Sequence, residues 1–242
     1  MSNQILQNKD RLFRFMNHRY VIIVAGGSGK RMDASIPKQF LLLNDKPVLM
    51  HTCETFYRLS HSLSLIVVLP EEHIATWEAL CETYSFKIPH QIVAGGAERF
   101  FSVKNALETI PHNEGLVAIH DGVRPLVSHK TILTAFDAAM LYGNAIPVIP
   151  VIESVRELSE TGNHIIDRSK LQLIQTPQVF KSTLICKAYE QDYSEAFTDD
   201  ASVLEKMGEK IVLTKGNPEN IKITRPIDLI IAEALMNCNN RD

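Results

Sequence analysis

The chain has 242 residues, 45% apolar and 22% charged, which is material for one sizeable core or two small ones and excludes disorder, collagen-like repeats and a coiled coil. Its 25 Lys and Arg against 28 Asp and Glu leave a net charge of −3, without the basic excess of a non-specific nucleic-acid binder, so an anionic ligand has to be held by a local cluster of cations. The four cysteines are far apart with no C-x-x-C pair and read as reduced thiols of a cytoplasmic protein, and every apolar run is far shorter than the roughly 20 residues of a membrane span.

In chain order, residues 1–18 read as a polar extension carrying Lys9, Arg11 and Arg14, and residues 19–238 as a single domain. Tyr20 to Ala25, Leu63 to Leu69 and Leu116 to His120 are short aliphatic runs closed by Gly, Pro or a polar residue, as in buried strands. Between them, Leu49, Cys53 and Phe56 follow a helical spacing behind Pro47, and Val103, Leu107 and Ile110 repeat it in a helix expected to begin near Ser102. The next helix runs from an N-cap at Ser128, through Ile132, Phe136 and Met140, to a stop at Gly143. Strands alternating with helices imply right-handed crossovers and a doubly wound, mostly parallel, Rossmann-like α/β sheet.

After Ala145 the pattern changes. Pro147 and Pro150 cannot donate to a ladder, so the sheet is expected to end or bend there. Glu153 to Gln175 alternates around Glu160-Thr161-Gly162-Asn163 and reads as a protruding β-hairpin arm, about 151–175, with Arg168 on its returning strand. Isolated hairpins are marginal in water, so the arm is expected to pack on another subunit as the contact of a homodimer. Leu184 to Tyr189 marks a helix and Thr198 caps another with Asp199 and Asp200 in its first turn. A strand over Lys210 to Leu213 and a helix from Pro226 to about Asn237 complete the chain.

The strongest local signal is Ala25-Gly26-Gly27-Ser28-Gly29-Lys30-Arg31-Met32, followed by Pro37-Lys38-Gln39. A glycine-rich turn after a first strand brings backbone N–H groups close to an anion, which makes Gly26, Gly27 and Gly29 candidate nucleotide contacts. A dinucleotide fingerprint fails at Met32, and a P-loop fails at Arg31, which stands where Ser or Thr is needed. Lys30 reads as solvated surface. Arg31 and Lys38 read as functional, because cations at this density beside a glycine turn match a polyphosphate undergoing displacement at phosphorus. Gly95-Gly96-Ala97-Glu98-Arg99 is either a second ligand turn or only a tight connection. Asp121, at the carboxyl end of a buried strand, is a candidate Mg²⁺ handle, whereas His120 reads as packed. In Asn220-Ile221-Lys222-Ile223-Thr224, alternation points Lys222 away from its apolar neighbours.

These motifs, with Ser102-Val103, Arg124-Pro125, Thr176-Pro177-Gln178 and Thr198-Asp199-Asp200-Ala201, resemble the 2-C-methyl-D-erythritol 4-phosphate cytidylyltransferase family from about Tyr20 to Leu235. The resemblance implies transfer of CMP from CTP to a sugar-alcohol phosphate, with release of pyrophosphate and a Mg²⁺ requirement, in the non-mevalonate isoprenoid pathway. It implies that Arg31 and Lys38 stabilise the transition state, and that Arg168 and Lys222 grip the acceptor phosphate with Ser154 and Thr176 beside them. Ala25, Gly26, Gly96 and Ser102 would hold the cytidine nucleotide, Asp121 would lie near Mg²⁺, and the arm would exchange between subunits. Glu153-Ser154-Val155-Arg156 replaces the Asp-Thr and following lysine that many members carry. A ribitol-5-phosphate cytidylyltransferase and a non-catalytic nucleotide-binding module are the rival readings; no nucleic-acid or membrane partner is expected.

Overall fold

Strand β1 (Arg19–Val24) lies at the centre of the fold because both of its faces are apolar, as a parallel strand covered on two sides requires. The structure is a computed structural model that describes residues 18–27, 36–110 and 115–239. β1 pairs in parallel with β4 (Ser64–Leu69) on one side and with β6 (Leu116–Asp121) on the other, and β4 pairs in parallel with β5 (Gln91–Ala94). Alternation then sorts the core. Val21 and Ile23 pack with Leu49, Phe56, Trp77 and Phe136 on one face, while Tyr20 and Ile22 pack with Val103, Phe180 and Ile185 on the other. Each fully buried side chain such as Ile22 or Phe56 contributes about 1.5–3 kcal/mol through removal from water.

Helices close both faces. After the short ribbon of β2 (Leu42–Leu43) and β3 (Lys46–Pro47) come α1 (Val48–Leu59), α2 (Glu71–Thr83), α3 (Arg99–Glu108) and α4 (His129–Tyr142). The α4 ends are as expected: the Ser128 hydroxyl accepts the Thr131 N–H, and Gly143 at φ +98° ends the helix with a left-handed turn. Helix α3 begins at Arg99 rather than near Ser102, and α2 is absent from the expectations above, although Ile74, Trp77, Cys81 and Tyr84 recur at helical spacing and pack on the core.

Beyond β6 the sheet becomes mixed. β7 (Asn144–Pro150) runs through Pro147 and ends at Pro150, as expected for the second proline but not the first. Its Ile146 N–H and Val148 carbonyl face β12 (Leu213–Lys215), so the intervening Pro147 turns its missing donor to the opposite edge. There β10 (Gln172–Ile174) and β11 (Gln178–Lys181) form successive antiparallel ladders with β7. Five positions separate Ile174 from Val179, against three from Val148 to Ala145, so the chain bulges at Gln175-Thr176-Pro177, opposite Pro147. Pro150 shares the parity of Ile146 and Val148 but lies past the β12 ladder, so its lack of a donor breaks no pairing. β11 also pairs antiparallel with β6, joining this half to the parallel half.

The hairpin is smaller than its alternation implied. β8 (Val155–Ser159) and β9 (Gly162–Ile166) pair with each other in a separate two-stranded sheet, whereas β10 belongs to the main one. Arg168 is in a single 3₁₀ turn after β9, not in the returning strand. Helices α5 (Ser182–Ala188), α6 (Asp200–Glu205) and α7 (Pro226–Asn239) complete the order. Asp199 rather than Thr198 caps α6, because its carboxylate accepts the Ser202 N–H while Ser202 Oγ accepts the Asp199 N–H. The strand expected over residues 210–213 forms three residues later. No helix among the described residues is long and apolar enough to cross a membrane.

Candidate active site

The carboxyl ends of β1, β5 and β6 meet at a cleft of about 350 Å³, the place where open α/β sheets bind ligands. Ala25, Gly26 and Gly27 form one wall, Gly96 to Arg99 and Ser102 another, and Lys38, Gln39, Asp121, Val123 and Lys222 line the rest. A Cβ on Gly27 would stand 2.8 Å from Lys38 Cε, so the lysine chain crosses directly over the turn. Lys38 begins a 3₁₀ turn that Phe40 anchors by stacking on Trp77 at 6.2 Å between centroids. Trp77 is fixed in turn by its indole N–H, which donates to His90 Nε2 at 2.9 Å.

Asp121 is the charge centre. Its Oδ2 lies 3.1 Å from Lys222 Nζ and 3.0 Å from Arg124 Nε. Burial pushes this carboxyl upward, but Lys222, Arg99 and Arg124 outweigh it and hold it well below the usual range, so it stays ionised. Arg124 also donates to the Asn220 carbonyl at 2.7 Å, tying the β6 end to the segment that carries Lys222. That segment forms no strand, yet the alternation survives: Ile223 is buried, its N–H donates to the Val123 carbonyl, and Lys222 turns to the cleft.

Beneath Asp121, His120 Nε2 lies 3.0 Å from the Arg124 carbonyl and Nδ1 lies 3.0 Å from Thr176 Oγ1. A carbonyl only accepts, so Nε2 carries the proton, Nδ1 accepts from the Thr176 hydroxyl, and Thr176 Oγ1 accepts the Asp121 N–H at 3.1 Å. Burial lowers the imidazole to about 4 and keeps it neutral. His120 is a packed positioning group, as expected from its sequence context.

At the other wall, Ser102 Oγ accepts the Gly96 N–H and donates to the Glu98 carbonyl, each at 3.1 Å. Arg99 forms a two-pronged pair with Asp200, Nη1 to Oδ1 at 2.8 Å and Nη2 to Oδ2 at 2.6 Å. Burial alone would lower the basicity of this guanidinium, but Asp200 raises it above the ordinary arginine value.

A protein-family model described as 2-C-methyl-D-erythritol 4-phosphate cytidylyltransferase matches residues 20–238. The chain belongs to this family. A protein of that name from Phocaeicola vulgatus is 52% identical over 219 residues, covering 90% of this chain and 100% of the relative. Another from Bacillus cereus is 37% identical over 224 residues, covering 91% and 99%. Among solved structures, the 2-C-methyl-D-erythritol 4-phosphate cytidylyltransferase of Thermus thermophilus superposes with a TM-score of 0.73 at 28% identity, covering 91% of this chain and 99% of that one. The 4-diphosphocytidyl-2C-methyl-D-erythritol synthase of Anaerococcus prevotii gives a TM-score of 0.77 at 26% identity, covering 91% and 96%.

Within this cytidylyltransferase fold, the cleft gathers Ala25, Gly26, Gly27, Lys38, Gly96, Ser102, Asp121 and Lys222, all named from sequence. Arg31 and Gly29 lie outside the described residues. Thr176 is buried behind the cleft, where its hydroxyl serves His120 and Asp121. Ser154 and Arg168 are exposed at the base of the arm, and the Arg168 guanidinium donates to the Ile152 carbonyl; neither lines the cleft of its own chain. Arg99 and Arg124 were legible only as members of motifs. Nothing local marks Arg99 as the partner of a carboxylate 101 positions away.

Proposed function

We propose that the chain transfers CMP from CTP to 2-C-methyl-D-erythritol 4-phosphate, forming 4-diphosphocytidyl-2-C-methyl-D-erythritol and pyrophosphate. The observation that carries this reading is the convergence of Lys38, Lys222 and an ionised Asp121 on a glycine-walled cleft in a chain of this family. An acceptor phosphate oxygen attacks the α-phosphorus of CTP, a P–O bond forms, and the bond to pyrophosphate breaks. Two polyanions approaching in a low-dielectric cleft repel strongly, so cations are needed on both sides. Lys38, beside the glycine turn, stabilises charge developing at the α-phosphate, with Arg31 as its partner. Lys222 binds the acceptor phosphate. No general base is required, because a phosphate monoester has a second pKa of about 6 and is largely ionised at neutral pH.

Asp121 fits a Mg²⁺ held mainly by substrate phosphates and water, since such sites need only one or two carboxylates and this one is kept ionised. Asp121 would hold the cation, while its Oδ2 also keeps Lys222 and Arg124. When bound, the metal neutralises triphosphate charge.

The arm supports a homodimeric reading. Leu158 and Ile165 are 81% and 69% exposed on a hairpin that, among the described residues, pairs only with itself, and a second copy would cover them. In that arrangement Arg168 and Ser154 serve the partner's cleft, which accounts for their distance from their own. A cytoplasmic location agrees with the reduced thiols.

The test is pyrophosphate release across four nucleoside triphosphates and a panel of polyol phosphates. CTP with methylerythritol phosphate is expected to be the fastest pair. A preference for ribitol phosphate overturns the acceptor, and CTP binding without turnover on any polyol phosphate overturns the enzyme.

A further inference from the structure

The mechanism above leaves the Arg99–Asp200 pair without a task, although Arg99 lines the cleft. Asp200 is fully buried, and besides the two guanidinium bonds it accepts the Tyr189 hydroxyl at 2.6 Å on Oδ1. Tyr189 does not line the cleft. It is buried in the second core layer, where its ring stacks on Phe100 at 4.7 Å between centroids, and Phe100 also stacks on Phe197 at 5.6 Å. Asp200 is itself placed from β11. Gln178 Nε2 donates to Asp199 Oδ2 at 2.7 Å, and Gln178 Oε1 accepts the Ala201 N–H at 2.9 Å. The first two residues of α3 are therefore docked on a segment about 100 positions downstream in sequence, one by charge and one by ring stacking.

Desolvating a guanidinium and a carboxylate costs several kcal/mol per ion, and apolar packing of the same volume often serves stability as well or better. What an ion pair adds is direction: two parallel N–H···O bonds fix a plane that a hydrophobic contact leaves loose. The direction fixed here is that of the turn before α3. Gly96 is bonded to Ser102 one turn into the helix, so rotation of the helix start carries the Gly96 wall with it. We propose that Arg99, clamped by Asp200 and Tyr189, is a positioning residue that sets the glycine wall at the distance required for nucleoside triphosphate binding. The proposal rests on the CTP-dependent reading of this cleft.

The experiment compares wild type, Arg99→Lys and Tyr189→Phe as full-length proteins, reading the CTP dissociation constant by calorimetry and the split of KM from kcat in the pyrophosphate assay. Lysine keeps the charge but not the two-pronged bond, so R99K is expected to raise Kd and KM for CTP about tenfold with kcat within about threefold. Y189F removes one hydrogen bond to Asp200 without touching the cleft, so it is expected to raise Kd about two- to fivefold in the same direction. A melting-temperature loss in Y189F with an unchanged CTP Kd means the clamp is structural only and overturns the proposal. Wild-type affinity in R99K does the same. Y189F decides the matter alone if R99K fails to fold. Absence of turnover in wild type defeats the functional reading instead, and the three Kd values still judge the clamp.

Discussion

Lys38, the proposed transition-state cation, shows how neighbours place a charge. The ammonium sits over Gly27, on a turn held in place by Phe40 and Trp77, so its position is set before any ligand arrives. Such preorganised charge acts mostly in the transition state. Lys38→Ala is expected to lower kcat about 10²- to 10³-fold with CTP KM changed by only a few-fold, as steady-state kinetics will read. His120 makes a different prediction, on stability. It is neutral in the fold with a value lowered by burial to about 4, against 6.5 in the unfolded chain. Above pH 6.5 both states are unprotonated at this site and the full contribution is present. As pH falls from 6.5 toward 4 the unfolded chain takes up the proton first, so about 3 kcal/mol is lost across that window and nothing further below it. Urea titrations without added divalent cation, run on wild type and His120→Gln, check this: the steep part of the decline is expected to shrink in the variant.

At the scale of elements, local chemistry sets the ends of helices and tertiary pairing sets the extent of strands. The Ser128 cap and Gly143 stop of α4 were legible in the sequence because a cap is a contact between residues three or four apart. Ser128→Ala is expected to cost about 1 kcal/mol, a fall in melting temperature of about 2–4 °C, measurable by calorimetry. Helix α2 is legible in the stripe of Ile74, Trp77, Cys81 and Tyr84, whereas β7 tolerates Pro147 only because the β10–β11 segment bulges opposite it, a reason that lies elsewhere in the chain. A proline in a run argues against a strand on average, and here the partner strand supplies the exception.

For the whole molecule, the cleft draws on residues from Val24 to Lys222, and no residue of the arm lines it. If the arm crosses between subunits, inactive Lys38→Ala and inactive Arg168→Ala proteins are expected to regain activity when mixed and re-equilibrated, because one of the two sites then has both residues intact. No recovery in a confirmed mixed dimer indicates sites built within one chain. The sequence by itself determined the alternation of strands and helices, the glycine turn and Lys38 as members of one cleft, the acidic end of β6 and the inward side of Lys222. Each of these follows from periodicity or from residue types a few positions apart. Only the tertiary structure decided that Arg99 meets Asp200, that Thr176 supports Asp121 from behind, and that Arg168 lies off its own cleft. Those pairings depend on ladder register and on which helix covers which face, and both are settled by packing between segments 55 to 101 positions apart rather than by any local pattern.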